Sequence, residues 1–152
     1  MKKTLLIIAL LTVSSTVFAD TPLTCVNNIC TLSGSLGTNA LSNDVYLVKC
    51  PNSTSTVDPI LGIGSLLKNT STVGSPILSQ AIYKSYNFAM ASSAVGTSGT
   101  TVRLSSKQGL YTVAVGHTST GANSYEVSFY CRLSEGSVTP LLVSDVVQLK
   151  NQ

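Results

Sequence analysis

The stretch SYEVSFYCRL, residues 124–133, alternates between two kinds of side chain over its whole length. Tyr125, Val127, Phe129 and Cys131 share one face of an extended chain, and the residues between them are mainly polar. Alternation with a period of two is typical of a β-strand that buries one face. The pattern therefore predicts a half-buried strand with Cys131 facing a core.

The stretch NDVYLVKC, residues 43–50, has a related pattern. Tyr46, Val48 and Cys50 lie on one face, while Val45 and Leu47 make the opposite face apolar too. A strand that is apolar on both faces usually has neighbours on both sides, so we expect a central strand here.

The rest of the chain also indicates strands and turns. Apolar and β-branched segments are separated by clusters of Gly, Pro, Asn, Ser and Thr, and only 10% of the residues are charged. Residues 77–90 are read as a bent strand or two short strands rather than a helix. These patterns predict an all-β fold, an antiparallel β-sandwich of about eight to nine strands; the other predicted strands are TLSGSL, PILGIGSLL, TTVRLSS, GLYTVAV and PLLVSDVVQL.

Two cysteines flank four residues in TCVNNIC, residues 24–30. Asn tolerates positive φ, so Asn27 and Asn28 can form a two-residue type I′ turn, which places Cys25 opposite Cys30 within disulfide range. Zinc would need two further ligands, and the chain has a single histidine. We therefore predict a Cys25–Cys30 disulfide that staples a hairpin.

The two other cysteines pair by elimination, which predicts a Cys50–Cys131 disulfide. The strand pattern supports this pairing, since both cysteines are expected to face inward. Four cysteines permit three connectivities, so the other pairings stay open at this point.

The first twenty residues, MKKTLLIIALLTVSSTVFAD, have the organisation of a bacterial secretory signal. Lys2 and Lys3 precede a short apolar run, and Val17-Phe18-Ala19 forms a small-residue cleavage site. We predict a signal peptide at residues 1–19 and a single β-sandwich domain at residues 20–152, periplasmic or secreted. The alternative is an uncleaved anchor helix.

The net charge and the length of the apolar segments indicate whether the protein binds nucleic acid or spans a membrane. The formal net charge of +3 falls to +1 once Lys2 and Lys3 are removed. This leaves no basic face of the kind that nucleic acids require. No segment after the signal is long and apolar enough to span a membrane. We therefore expect no nucleic-acid partner and no membrane span.

The stretches NDVYLVKCP, GLYTVAV and SYEVSFYC resemble exported bacterial β-sandwich modules of the pre-peptidase C-terminal type. Such modules often carry an Asp-x-Tyr strand early and a Gly-x-Tyr-x-x-x-Val hairpin strand late. The resemblance covers about half of the mature chain, and the acidic turn residues common in these modules are missing. It implies a non-catalytic accessory module with a jelly-roll-like fold, in which GLYTVAV and SYEVSFYC form a hairpin.

Catalytic residues are not predicted. His117 is interpreted as a solvated turn residue, because no Gly-x-Ser-x-Gly elbow accompanies it. Ser65 and Lys68 match an S-x-x-K string, but its partner motifs are missing, and both Ser65 and His117 are expected in loops. The six carboxylates, Asp44 among them, are scattered and expected at the surface. We predict no enzyme activity, no cofactor and no metal site.

Two aromatic side chains are candidates for a surface contact. Tyr130 and Tyr83 are expected to point outward, where either ring could stack on a sugar or contact a partner protein. The sequence thus predicts an exported, non-catalytic binding or structural module that contacts an unknown protein or glycan of the cell envelope or of a host. The alternatives are a pilin-like surface-fibre subunit that assembles by strand exchange and a secreted enzyme inhibitor.

Overall fold

The structure is a computed structural model that describes residues 24–52, 59–134, 138–139 and 146–151. The described part of the chain forms eleven β-strands and no helix, and nine of the strands have five residues or more. In chain order they are β1 (Thr24–Val26), β2 (Ile29–Leu36), β3 (Asn43–Cys50), β4 (Ile60–Asn69), β5 (Leu78–Lys84), β6 (Asn87–Ser93), β7 (Thr100–Leu104), β8 (Gly109–Gly116), β9 (Asn123–Leu133), β10 (Val138–Thr139) and β11 (Val146–Asn151).

The strands form two antiparallel sheets. Sheet A has the order β1-β2-β9-β4-β7, with β10 paired to β9, and sheet B has the order β11-β3-β8-β5-β6. The eight strands β2 to β9 are therefore divided as 2-9-4-7 and 3-8-5-6, which is the strand order of a jelly roll. The predicted antiparallel, jelly-roll-like sandwich is confirmed.

The inward faces of both sheets supply one hydrophobic core. Burial alternates along β9, where Tyr125, Val127, Phe129 and Cys131 are buried, as the period-two pattern predicts. Tyr46, Val48 and Cys50 are buried in the same way on β3. β3 has a neighbour on each side, β8 and β11, as expected of a central strand.

Both predicted disulfides are present. Asn27 and Asn28 have φ values of 50° and 65°, and Cys25 lies directly opposite Cys30 in the β1–β2 hairpin. The second bridge joins Cys50 of sheet B to Cys131 of sheet A. It therefore crosses the core and ties the two sheets together.

One predicted connection is wrong. GLYTVAV and SYEVSFYC do not form a hairpin, because β8 lies in sheet B and β9 in sheet A. The turn between them is an arch from one sheet to the other, so β8 pairs with β3 and β5, and β9 lies between β2 and β4. A bent strand or two short strands were expected within residues 77–90, and the structure has two strands there, β5 and β6, which pair as a hairpin.

Candidate functional site: the outer face of sheet B

The outer face of sheet B is apolar. On β5, Ala81 and Tyr83 alternate with the buried Gln80 and Ile82, and so they point away from the core. The same alternation on the neighbouring strands turns further apolar side chains outward; they are Val45 and Leu47 of β3, Phe88 and Met90 of β6, and Leu110 and Ala114 of β8. We call this surface the sheet-B face. Phe88 and Met90 are each 64% exposed, although the free face of an antiparallel sheet is normally polar.

The outer face of sheet A provides the contrast. Its side chains are mainly polar, and Thr31 and Ser128 form a hydrogen bond between neighbouring strands at 2.8 Å. The exposed aromatic and large apolar side chains are therefore concentrated on sheet B, whereas sheet A exposes Val26 and Ile29 at the end of its β1–β2 hairpin. An exposed apolar surface on one face is typical of a contact site.

Two aromatic rings lie side by side on the sheet-B face. Tyr83 and Phe88 are direct partners in the β5–β6 hairpin, and their ring centroids are 6.4 Å apart with planes inclined by 25°. Thr112 of β8 is opposite Tyr83 on its other side. Tyr83 and Phe88 therefore form a stacked aromatic platform next to Thr112.

The two predicted surface tyrosines lie on opposite sheets. Tyr83 is 47% exposed and belongs to the sheet-B face. Tyr130 is on sheet A, where its ring covers Gly64 and its hydroxyl accepts a hydrogen bond from Arg103 Nε at 3.5 Å. Tyr130 is partly buried by this packing. The structure thus brings Tyr83 together with Phe88 and leaves Tyr130 apart.

A groove of about 400 Å³ opens at one end of the sheet-B face. Its lining includes three small residues, Ala81, Ala114 and Gly116, with Met90 beside them. We call it the His117 groove. No Asp, Glu, Lys or Arg is among the residues that line it.

Two buried polar residues lie just beyond the strand ends beside the groove, Ser42 before β3 and His117 after β8. His117 is 4% exposed, and neither of its ring nitrogens has a hydrogen-bond partner among the described residues. Ser42 is 3% exposed, and its hydroxyl also lacks a partner there. Both residues line the groove, together with Asn43, Ser79 and Thr118. Buried polar groups are nearly always hydrogen-bonded, so two such residues at one groove are unusual.

The prediction that His117 is a solvated turn residue is wrong. Tyr111, Val113 and Val115 of β8 face inward, and position 117 continues this alternation one residue beyond the strand. The imidazole ring of His117 is therefore buried, although the residue belongs to the loop that follows β8. Sequence reasoning missed it because the strand's inward face extends past its last hydrogen-bonded residue.

The expectation that Ser65 lies in a loop is also wrong. Ser65 is fully buried in β4, and its hydroxyl donates a hydrogen bond to Gln80 Oε1 at 2.8 Å. Lys68 is exposed, three residues along the same strand. Residues i and i+3 of a strand point to opposite faces, so the S-x-x-K string does not bring the two side chains together.

Asp44 is a further buried group that sequence reasoning placed at the surface. Its side chain is fully buried, and Tyr125 Oη donates a hydrogen bond to Asp44 Oδ2 at 2.5 Å. Tyr46 Oη lies 2.6 Å from Tyr125 Oη, and it donates because Tyr125 gives its only hydroxyl proton to Asp44. Burial raises the pKa of both phenols, and the Asp44 carboxylate raises it further. This network lies inside the sandwich, away from the groove lining.

Within the described residues, no group of three or more His, Cys, Asp or Glu side chains is placed to hold a metal ion. None of the secondary structure described is a helix of the length and apolarity needed to cross a membrane. Comparison of the chain with protein-family models, curated proteins and solved structures finds no match. The resemblance to pre-peptidase C-terminal modules stays a prediction.

Proposed function

We propose that the protein is an exported, non-catalytic binding module and that its contact surface is the sheet-B face. The observation that carries the proposal is the exposure of stacked Tyr83 and Phe88, with Met90 and Leu110, on one sheet only. Aromatic side chains supply large contact area and lose little conformational entropy on binding. The partner is a component of the cell envelope or of a host.

Export is supported by two features. The chain carries two disulfides and, in the described residues, no free cysteine. Disulfides persist in oxidising compartments such as the bacterial periplasm and the extracellular medium. The predicted signal peptide at residues 1–19 lies outside the described residues, and it agrees with this location.

The test begins with the full chain expressed in bacteria and recovered after export. Intact-mass analysis should find a protein that begins at Asp20. The recovered protein is then sedimented with insoluble envelope material that has been separated into polysaccharide-rich and protein-rich fractions. We expect retention on one of the fractions.

The decisive comparison uses a double variant, Tyr83→Ser with Phe88→Ser. Its retention should fall at least about tenfold, because the stacked platform is lost. Val26→Ser is the matched control, since Val26 is an exposed apolar residue at the tip of the β1–β2 hairpin, away from the sheet-B face. Equal retention of the double variant, or no retention of the parent protein on any fraction, would refute the proposal. Gel filtration of the same samples tests the surface-fibre alternative, which requires polymers.

A further inference from the structure

We infer that the sheet-B face lies against an anionic phospholipid bilayer, with its aromatic and aliphatic side chains at the level of the headgroups and the nearest part of the acyl chains. The inference rests on the proposed function, because it takes the same face as the contact surface. It names the envelope component as membrane lipid, to which the protein binds at the surface of the bilayer.

The apolar side chains of this face form two adjacent rows across sheet B. The pairing of the strands fixes the rows, because residues directly opposite each other point to the same side of a sheet. In the order β3, β8, β5 and β6, the rows are Val45, Ala114, Ala81, Met90 and Leu47, Thr112, Tyr83, Phe88. The exposed side chain of Leu110 follows Thr112 on the same side of β8. These side chains together make a broad apolar surface.

Few groups on this surface can form directional hydrogen bonds. Thr112 and the phenol of Tyr83 carry the only hydroxyl groups in the two rows. β5 and β8 each have a hydrogen-bonded strand on both sides, so their backbone groups are already paired. A glycan or an added peptide strand depends on hydrogen bonds, whereas the burial of apolar surface in lipid is non-directional. Lipid therefore fits the two rows best.

The charges of sheet B are of one sign on its outer side. No outward-facing position of β3, β5, β6 or β8 carries Asp or Glu, and the sequence of β11 contains neither. Asp44, the one acidic residue in these five strands, is buried inside the sandwich. Lys49 is exposed and lies opposite Leu110, and Lys107 is exposed in the connection that leads into β8. Lysines without a nearby outward carboxylate are complementary to anionic headgroups.

The types of side chain also suit the boundary between headgroups and acyl chains. Tyr83 is part of the face, and the fully exposed Tyr86 lies in the turn that joins β5 to β6. Tyrosine is enriched at this boundary because its ring is apolar and its hydroxyl is polar. Lys49 can lay its methylene groups along the face while its ammonium reaches the phosphates. Binding of this kind grows with the apolar area buried and with the electrostatic attraction.

The first test uses the exported protein and two kinds of vesicle, phosphatidylcholine alone and phosphatidylcholine with phosphatidylglycerol in equal parts. The protein should sediment with the phosphatidylglycerol vesicles, and its affinity for them should be higher by about fivefold or more, the effect expected of one lysine at the surface. Absence of binding to both kinds of vesicle, or equal binding to both, overturns the inference.

A tryptophan reporter shows which face meets the lipid, because the chain has no tryptophan of its own. In Phe88→Trp, the emission should shift to the blue on addition of the phosphatidylglycerol vesicles, and lipids with brominated acyl chains should quench it. Val26→Trp is the matched control, since Val26 is exposed on the β1–β2 hairpin of sheet A, and it should show neither effect. Quenching that is absent in Phe88→Trp, or equal in the two variants, overturns the inference.

Two further variants separate the apolar and the electrostatic contributions. Met90→Ser with Leu110→Ser should weaken vesicle binding at least about tenfold, because apolar area is lost from the contact. Both side chains are exposed, so the melting temperature should stay that of the parent. Lys49→Gln should weaken binding to the phosphatidylglycerol vesicles about fivefold, whereas Lys68→Gln, at an exposed position of sheet A, should not. Unchanged binding in both sheet-B variants overturns the inference.

The two proposals fail in different ways. Membrane lipid sediments with the protein-rich envelope fraction, so this inference predicts retention there. If the Tyr83→Ser, Phe88→Ser protein loses retention on envelope material while the parent binds no vesicles, the sheet-B face is a contact surface for a protein or a polysaccharide and the lipid inference is wrong. If the parent is retained on no fraction and binds no vesicles, both proposals are wrong.

Discussion

The carboxylate of Asp44 is fully buried in a core made mainly of apolar side chains. A buried carboxylate requires hydrogen-bond donors, and Tyr125 provides one. The ring of Tyr125 lies over Gly34, where a Cβ atom would come within 2.3 Å of the ring. A glycine, two tyrosines and an aspartate from three strands therefore depend on one another.

This arrangement predicts how stability depends on alkaline pH. The pKa values of Tyr46 and Tyr125 are raised in the folded protein, and burial raises that of Tyr111 to about 12. Above about pH 10 the unfolded chain loses phenolic protons that the folded protein keeps, so the free energy of unfolding falls as the pH rises. The loss at pH 11 should be about 1.4 kcal/mol for each of Tyr46 and Tyr125.

Urea denaturation between pH 8 and 11 measures this dependence. Tyr46→Phe should have a shallower decline, because one of the protected phenols is absent. Tyr86→Phe is the control, since Tyr86 is fully exposed and should leave the slope as it is. A free energy of unfolding that stays constant up to pH 11 would contradict the prediction.

At the scale of the elements, Lys84 holds the end of β5 against the β7–β8 connection. Its ammonium donates hydrogen bonds to the carbonyl oxygens of Ser106, at 2.5 Å, and of Lys107 and Gln108. It also lies 4.6 Å from the centroid of the Tyr111 ring. Lys107 has a φ of 60°, so this connection contains a residue in the left-handed region. Three successive backbone carbonyl oxygens of this turn therefore converge on the Lys84 ammonium group, which donates hydrogen bonds to them.

Replacing Lys84 by Met should therefore loosen the β7–β8 connection. Met keeps most of the apolar stem and removes the charged donor, which should lower the free energy of unfolding by about 1–2 kcal/mol. Amide hydrogen exchange should accelerate at residues 105–109. Lys49→Met, at an exposed position of β3, is the matched control and should change neither quantity. If Lys84→Met exchanges at the parent rate in this segment, the carbonyl contacts do not stabilise the turn.

At the scale of the whole molecule, the two disulfides are expected to contribute unequally to the free energy of unfolding. The Cys25–Cys30 bridge closes a loop between residues five apart and lies within one hairpin. The Cys50–Cys131 bridge connects residues 81 apart, and both of its cysteines are fully buried between the sheets. The entropy that a bridge removes from the unfolded chain grows with the length of the loop.

The double replacement of Cys50 and Cys131 by alanine should cost about 2–5 kcal/mol, and that of Cys25 and Cys30 clearly less. Melting temperatures and urea denaturation of the two double variants give the comparison. Equal losses would mean that the hairpin bridge contributes far more than its loop length predicts.

Local patterns were enough to predict several parts of this fold. The Asn27–Asn28 turn sets the register that places Cys25 opposite Cys30, because both features lie within seven residues. Alternation along residues 124–133 identified the buried face of β9 for the same reason. The candidate site was predicted only in part. Tyr83 was found, whereas its stacking partner Phe88 was not.

The sequence by itself determined the strands, their inward faces and the disulfide partners, since these depend on neighbouring residues and on the pairing of four cysteines. The tertiary structure decided that β8 and β9 lie in different sheets, that His117 and Asp44 are buried, and that one outer face is apolar. The sheet-B face combines side chains from β3, from the β5–β6 hairpin and from β8, which are three separate stretches of the chain. A surface of this kind exists only once those strands are paired, because no single stretch contains it.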